Sequence, residues 1–289
     1  MKQLVILLLA GVVLGCAPAA AQKLESKEHI SKQFELKKPA NQTVFGVYNI
    51  DGSIKVESYS GTKIMVEIDK TISGKTQAIV DQGKEEFKLE FEETGDSILV
   101  YISEPYYTRP HDERRNNRNW DRRIEYRSNL NFTIKVPANI NLNVSTVNNG
   151  QIEVKDVSGS IKAQNVNGGI ALVNVKGATD VHTINGDVTI NYLVSPPEKS
   201  SYYTLNGNIR VTYPASFSGD LQFKSFNGSF YTDFPDTEML APEVTKNTEH
   251  NGDRTVYKLD KKSSIRIGNG GKKFKFETFN GNIYIKKQS

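Results

Sequence analysis

A single cysteine, Cys16, and a single tryptophan, Trp120, occur in 289 residues. One cysteine excludes an internal disulfide and any cysteine-cluster metal site. The four histidines, at 29, 111, 182 and 250, are dispersed and lack metal-ligand spacing. Beyond residue 14 no apolar run approaches membrane-spanning length. Neither sign of charge dominates: 37 Lys and Arg face 33 Asp and Glu, a net +4 too mild to imply a polyanion such as nucleic acid. No phosphate-cradling glycine loop is present, because Gly168-Gly169 sits inside a repeat turn. No Ser-His-Asp constellation can be named. The expectation is a protein without catalytic residues, cofactor or metal, whose fold is held by packing and backbone hydrogen bonds.

The first 21 residues have the order of an export signal. Met1-Lys2 is a positive n-region, and 4–14 is an apolar run of h-region length. Ala19-Ala20-Ala21 before Gln22 satisfies the small-x-small rule for ordinary cleavage. Val13-Leu14-Gly15-Cys16 resembles a lipobox, which would make Cys16 the lipidated mature N-terminus. Both readings predict export, to the periplasm, the outer membrane or the cell surface. Membrane contact is then limited to an N-terminal lipid anchor.

What the chain has in abundance is period. Gly150, Gly159, Gly168, Gly177 and Gly186 stand nine apart. Asn149, Asn167 and Asn185 precede every second one, with Ser158 and Lys176 between. Two residues after each glycine come Ile152, Ile161, Ile170, Thr179 and Val188. Four after come Val154, Ala163, Leu172, Val181 and Ile190. Seven after come Val157, Val166, Val175, Ile184 and Leu193. The step from +4 to +7 is odd, so strict alternation cannot keep both on one face and the chain must bend between them. Two bends per nine residues and an Asn period of eighteen predict stacked coils with Asn-Gly corners in one column. Asn suits such corners because it tolerates a left-handed backbone and can bond along a ladder. The predicted fold is all-β: a right-handed β-solenoid of short strands, about seven or eight coils over 140–289. Asn-Gly is also a hairpin signal, so the alternative is a twisted antiparallel β-sandwich.

The rest divides around this repeat. Residues 22–42 are polar and Lys-rich and read as a linker. Residues 43–103 alternate as strands, with one short helix expected at 75–86 and a hairpin about Thr94-Gly95-Asp96. Strand character resumes near Asn131, so 129–289 is the repeat part. It is interrupted at Pro196-Pro197 and by an irregular, polar stretch at 233–255. Within that stretch Asp233, Asp236, Glu238 and Glu243 read as a solvated acidic cluster.

Residues 104–128 break all pattern, and their length is unusual for a loop in a compact domain. They hold Arg109, Arg114, Arg115, Arg118, Arg122, Arg123 and Arg127 with Tyr106, Tyr107, Trp120 and Tyr126. Arg binds phosphate and carboxylate bidentately, and aromatic rings stack on sugars. Arg114, Arg115, Arg118, Trp120, Arg122 and Arg123 are therefore the candidate ligand-binding residues. An anionic glycan, lipopolysaccharide or an envelope protein would suit them.

The signal, the units Val157-Ser158-Gly159-Ser160-Ile161-Lys162-Ala163 and Val166-Asn167-Gly168-Gly169-Ile170, and the strand-helix-hairpin passage at 62–102 resemble a bacterial envelope family. It is the adhesin-like domain-of-unknown-function family 4097. The resemblance implies an extracytoplasmic adhesin-like β-solenoid without established enzymatic activity, and supplies no catalytic residues. The expected function is a non-enzymatic binding or scaffold protein of the cell envelope. The alternatives are an envelope sensor or regulator and, third, a β-helix carbohydrate-active enzyme, which would need two facing carboxylates.

Overall fold

The computed structural model describes residues 24–110, 123–197, 200–251 and 254–289; for 242–251 and 254–262 the description is of the backbone alone. The strands begin with β1 (Leu24–Glu35), β2 (Val44–Tyr48), β3 (Ile54–Tyr59) and β4 (Lys63–Gly74), followed by helix α1 (Gln77–Glu86), β5 (Lys88–Glu93) and β6 (Ser97–Glu104). Next come β7 (Arg127–Pro137), β8 (Asn141–Ser145), β9 (Ile152–Lys155), β10 (Ile161–Gln164), β11 (Ile170–Val175), β12 (Thr179–Asn185) and β13 (Val188–Tyr192). The rest are β14 (Ser201–Asn206), β15 (Ile209–Tyr213), β16 (Gly219–Asn227), β17 (Phe230–Thr232), β18 (Thr237–Asn251), β19 (Arg254–Ile267), β20 (Lys273–Asn280) and β21 (Ile283–Lys287).

They form two large mixed sheets, neither closed, facing each other across one core in a sandwich-like arrangement. Strands of the repeat alternate between the sheets. β8, β10 and β12 lie parallel in one, and β9, β11 and β13 parallel in the other. Ile161 stands beside Thr179, and Ile152 beside Ile170, so eighteen residues carry the chain once round. We call each such pair, one strand per sheet, a rung. Antiparallel pairing is confined to the ends of the sheets: β7 with β4 and β4 with β1, β6 with β5, and β16 with β19 and β19 with β18.

Ile54, Ile152, Ile170, Val188, Ile209 and Ile283 form one inward column, all essentially buried. Each such side chain contributes about 1.5–3 kcal/mol by leaving water. A lone rung has no second layer to bury that face, so stability comes with stacking.

The rungs do not follow chain order. From one end they run β6/β7, β2/β3, β8/β9, β10/β11, β12/β13, β14/β15, β20/β21, β16/β17. The first rung in sequence lies between the second and third, and the last lies inside the one before it. Six of the eight rungs fall in 140–289, and two belong to the N-terminal part.

Several expectations are corrected. Residues 24–35, read as linker, form β1, in register with β4 from Leu24↔Gly74 to Glu35↔Lys63. Its period-two pattern is hidden because an edge strand buries little: only Phe34 is fully covered. Residues 233–255, read as irregular, hold β18 and the start of β19, which pair as a hairpin. The helix is present at Gln77–Glu86, capped by Thr76, with Val80 and Gly83 buried. Of the +7 positions, Val157 and Val175 point inward, but Val166 and Ile184 are half-buried on the outer corner and Leu193 is exposed. The inward turn uses an extra left-handed residue, Asp156 (φ 58°) or Asn174 (φ 57°). At the third coil Tyr192 takes the inward place opposite Val175, leaving Leu193 outside.

The corners also work differently from expectation. Asn149 is left-handed (φ 53°), but Asn167, Asn185 and Asn206 are not. They join a side-chain ladder in which each amide Nδ2 donates to the Oδ1 of its neighbour. It runs Asn227 to Asn280 to Asn206 to Asn185 to Asn167 to Asn148, at 2.7–2.9 Å. Glycine is required by close approach. A Cβ on Gly168 would lie 2.0 Å from the Gly150 carbonyl oxygen, and Gly150, Gly186, Gly207, Gly281 and Gly228 meet their neighbours as tightly. Behind this column Thr146, Thr183, Thr204 and Thr278 each donate a hydroxyl to the glycine carbonyl of the adjoining rung. Those buried polar positions are fully partnered, as burial demands.

Candidate ligand-binding face

The sheet containing β2, β8, β10, β12 and β14 turns alternate side chains outward. Asn143 on β8 is in register with Lys162 on β10, Lys162 with Asp180 on β12, and Asp180 with Ser201 on β14. These residues, with Val44, Asn141 and Ser160, line a shallow groove of about 290 Å³ crossing five strands. Amides, hydroxyls, one ammonium and one carboxylate suit a polyhydroxylated ligand. Asn141 Oδ1 accepts from the backbone N–H and hydroxyl of Ser160, and the Ser201 hydroxyl donates to Asp180 Oδ1. Lys162 is exposed and makes no ion pair among the described residues. Asn143 Oδ1 is buried without a hydrogen-bond donor, a cost that a donor reaching it would offset. Two register positions along, the His182 and Tyr203 rings stack at 4.3 Å and 18°. Partial burial holds the His182 imidazole below its usual pKa, against the opposing pull of Asp180, so it is largely neutral near pH 7.

The Arg-rich segment is rooted on the same sheet. Residues 105–110 return from β6 along the edge of Tyr48 and Tyr101. The Thr108 hydroxyl donates to the Tyr48 carbonyl at 2.8 Å, and Thr108 N–H to the Ile102 carbonyl at 2.9 Å. Tyr107 packs edge-on against Tyr101 at 5.7 Å. Burial pushes the Tyr48 phenol up to about 12. Arg109 grips Glu92 of β5 with two bonds, 2.8 and 2.7 Å, which raises its pKa further. It is therefore an anchor and not a free binding group. At the far side Tyr126 is buried against α1, and Arg127 already belongs to β7.

Arg123 is exposed. Arg114, Arg115, Arg118, Trp120 and Arg122 lie outside the described residues, as does Cys16. Of the predicted acidic cluster, Asp233 and Glu238 have separate basic or backbone partners, and the Glu243 side chain lies outside the described residues. Asp233 Oδ1 accepts from the Lys287 N–H, and Glu238 lies 3.7 Å from Arg266. Among the described residues no group of His, Cys, Asp or Glu is placed to hold a metal, and no helix is long and apolar enough to cross a membrane.

The groove residues escaped sequence reasoning. Asn143, Lys162, Asp180 and Ser201 are spaced 19, 18 and 21 apart, so the corner period applied to outward positions would have gathered them. A second constellation had no signal at all. Tyr192, Tyr202 and Tyr213 meet inside the core, hydroxyl to hydroxyl at 2.9 and 3.1 Å, with Thr179 and Ser200 completing the chain. Burial raises all three phenols well above their usual pKa. Their role is to let a bulky core beside the Pro196-Pro197 insertion satisfy its polar atoms.

No family model matches the chain, and no curated protein sequence does. Solved structures do match. One is a candidate cell adhesion protein from Clostridium sporogenes, 13% identical, with 91% of this chain and 100% of that one covered and a TM-score of 0.40. Another is a candidate adhesin from Bacteroides fragilis, 11% identical, covering 91% and 98%, with a TM-score of 0.30. A third is a candidate lipid-binding protein from Parabacteroides distasonis, 11% identical, covering 92% and 97%, with a TM-score of 0.25.

Proposed function

We propose that this chain is an exported, non-enzymatic binding protein of the cell envelope, adhesin-like, built as a right-handed two-sheeted β-solenoid. The parallel rungs with an eighteen-residue circuit support the solenoid reading. Export, to the periplasm, the outer membrane or the cell surface, rests on the N-terminal signal pattern, with Cys16 as the anchor if the lipobox is used.

The observation that carries the binding role is one of position. The polar groove at Asn143, Lys162 and Asp180 opens on the same sheet that roots the Arg-rich segment. A ligand with hydroxyls and negative charge would engage both: the amides and hydroxyls of the groove and the guanidinium groups of the Arg-rich segment. An anionic glycan, including the sugar-phosphate part of lipopolysaccharide, has that chemistry. Among the described residues Asp180 is the only carboxylate lining the groove, and it is bonded to Ser201, which suits holding a sugar better than cleaving one.

Titration with sulfated oligosaccharides and with purified lipopolysaccharide tests this. Lys162→Glu and deletion of residues 111–122 should each weaken binding roughly tenfold, about 1.4 kcal/mol. Unchanged affinity in both variants, with their melting intact, would overturn the reading.

A further inference from the structure

The two sheets have four terminal strands, and three of them, β1, β5 and β18, are reached by antiparallel pairing. The fourth, β17, is itself a parallel rung strand, pairing with β21 only over Phe230↔Ile283 to Thr232↔Ile285, and among the described residues nothing follows it in its sheet. On the other sheet β19 leaves β16 after Phe223↔Ser263, so residues 225–227 have no strand partner on that side either among the described residues. The corner of the last rung is thus open.

Every bonding motif that joins one rung to the next stops there unfinished. Asn227 donates its Nδ2 to Asn280, but no donor reaches its own Oδ1 among the described residues. The carbonyls of Gly168, Gly186, Gly207 and Gly281 each accept from a Thr or Ser of the adjoining rung; that of Gly228 has no such donor among the described residues. The N–H groups of Gly186, Gly207 and Gly281 donate to the carbonyls of Asn206, Asn280 and Asn227; that of Gly228 has no such acceptor among the described residues.

The rings repeat the pattern. Phe226 stacks on Phe279 at 4.7 Å and 5°, and Tyr231 on Tyr284 at 5.1 Å and 12°. Each leaves its second face free, with Phe226 74% and Tyr231 50% exposed. Phe226 also ends an outer apolar column of Ile50, Val147, Val166, Ile184, Leu205 and Phe279 that runs the length of the stack.

A rung need not be supplied by adjacent sequence. β20/β21 docks between β14/β15 and β16/β17 across the whole β16–β19 segment, using these same bonds. We propose that the open end is a β-strand addition site. Its occupant is an extended segment of another polypeptide with the second half of the rung pattern, because β19 already occupies β16 over 219–223: a Thr, an aromatic residue, Asn-Gly, then alternating apolar residues. The incoming Asn amide would donate to Asn227 Oδ1, its Thr hydroxyl to the Gly228 carbonyl, and its aromatic residues would cover Phe226 and Tyr231. Backbone bonds supply the affinity and the ring and amide contacts the selection. The site lies on the corner, away from the polar groove, and does not depend on the glycan reading.

The probe is a synthetic peptide of residues 277–289, which carries this pattern, titrated into the full chain. Saturable one-to-one binding is expected, with hydrogen-exchange protection appearing at 226–232. Phe226→Ser with Tyr231→Ser should weaken it roughly tenfold, and a peptide with Pro-Pro in place of Asn-Gly should not bind. Hydrogen exchange at 201–213 in the free double variant, unchanged from wild type, establishes that the rungs beneath are intact. Absence of binding, equal binding by the double variant, or protection at 201–213 in place of 226–232 (exchange with the native β20/β21) would overturn the proposal.

Discussion

Asn227 and Asn280 are 53 residues apart in sequence and adjacent in space, joined amide to amide at 2.9 Å. The bond belongs to a ladder whose next step, Asn280 to Asn206, spans 74 residues. One chemistry therefore holds rungs that are neighbours in sequence and rungs that are not. The ladder makes the order of the stack independent of the order of the chain.

Position within the ladder fixes how much each amide matters. The Asn280 amide donates to Asn206 and accepts from Asn227, whereas the Asn227 side chain makes, among the described residues, only the one bond to Asn280. With net contributions of roughly 0.5–1.5 kcal/mol per hydrogen bond, Asn280→Ala should cost about twice as much as Asn227→Ala. Urea denaturation of the two variants measures this. Equal losses would mean that the ladder is decorative and that backbone pairing alone holds the corner.

The glycine column makes a sharper contrast. Gly168 cannot accept a Cβ, because the obstacle is the Gly150 carbonyl oxygen at 2.0 Å and backbone cannot swing aside. Gly168→Ala should force two rungs apart and cost roughly 3 kcal/mol or more, at the upper end of overpacking effects. Gly95, in the β5–β6 turn, has no atom within 4 Å of its would-be Cβ, and Gly95→Ala should be nearly neutral. Thermal melts of the pair decide it, and a mild Gly168→Ala would show that the corner is plastic.

The contrast also explains what was readable from sequence. The eighteen-residue circuit was legible because stacked corners tolerate few residues: Gly against a carbonyl, Asn in a ladder, Ile or Val inward. Rung order was not legible, since Phe274, Phe276 and Ile283 suit any rung equally well. The edge strand 24–35 was hidden because it buries so little. The groove was hidden because Asn143, Lys162 and Asp180 are ordinary outward residues until register aligns them. The Arg-rich segment was read as one feature, yet Arg109 and Tyr126 are spent on anchoring it.

That edge strand carries a pH dependence. On β1, His29 Nδ1 lies 2.8 Å from Asp69 Oδ1 and Nε2 2.9 Å from Glu67 Oε2, both on β4. Carboxylate oxygens only accept, so both ring nitrogens must carry protons, and the bonded species is the imidazolium. The bonds to Asp69 and then Glu67 raise the His29 pKa above 6.5. A group whose folded pKa is raised stabilises the fold fully below its unfolded value, and the contribution is lost as pH rises through the folded value. The tie between β1 and β4 should therefore be complete in mild acid and gone in mild alkali. His29 is exposed, so the effect is local to the edge and screened by salt. Hydrogen-exchange protection factors for residues 24–35, which normalise for the intrinsic rate, should fall as pH rises through the raised His29 pKa. His29→Gln keeps a donor but cannot charge, and should flatten that dependence. A fall of the same size in both proteins would place the pH sensitivity elsewhere than at this histidine.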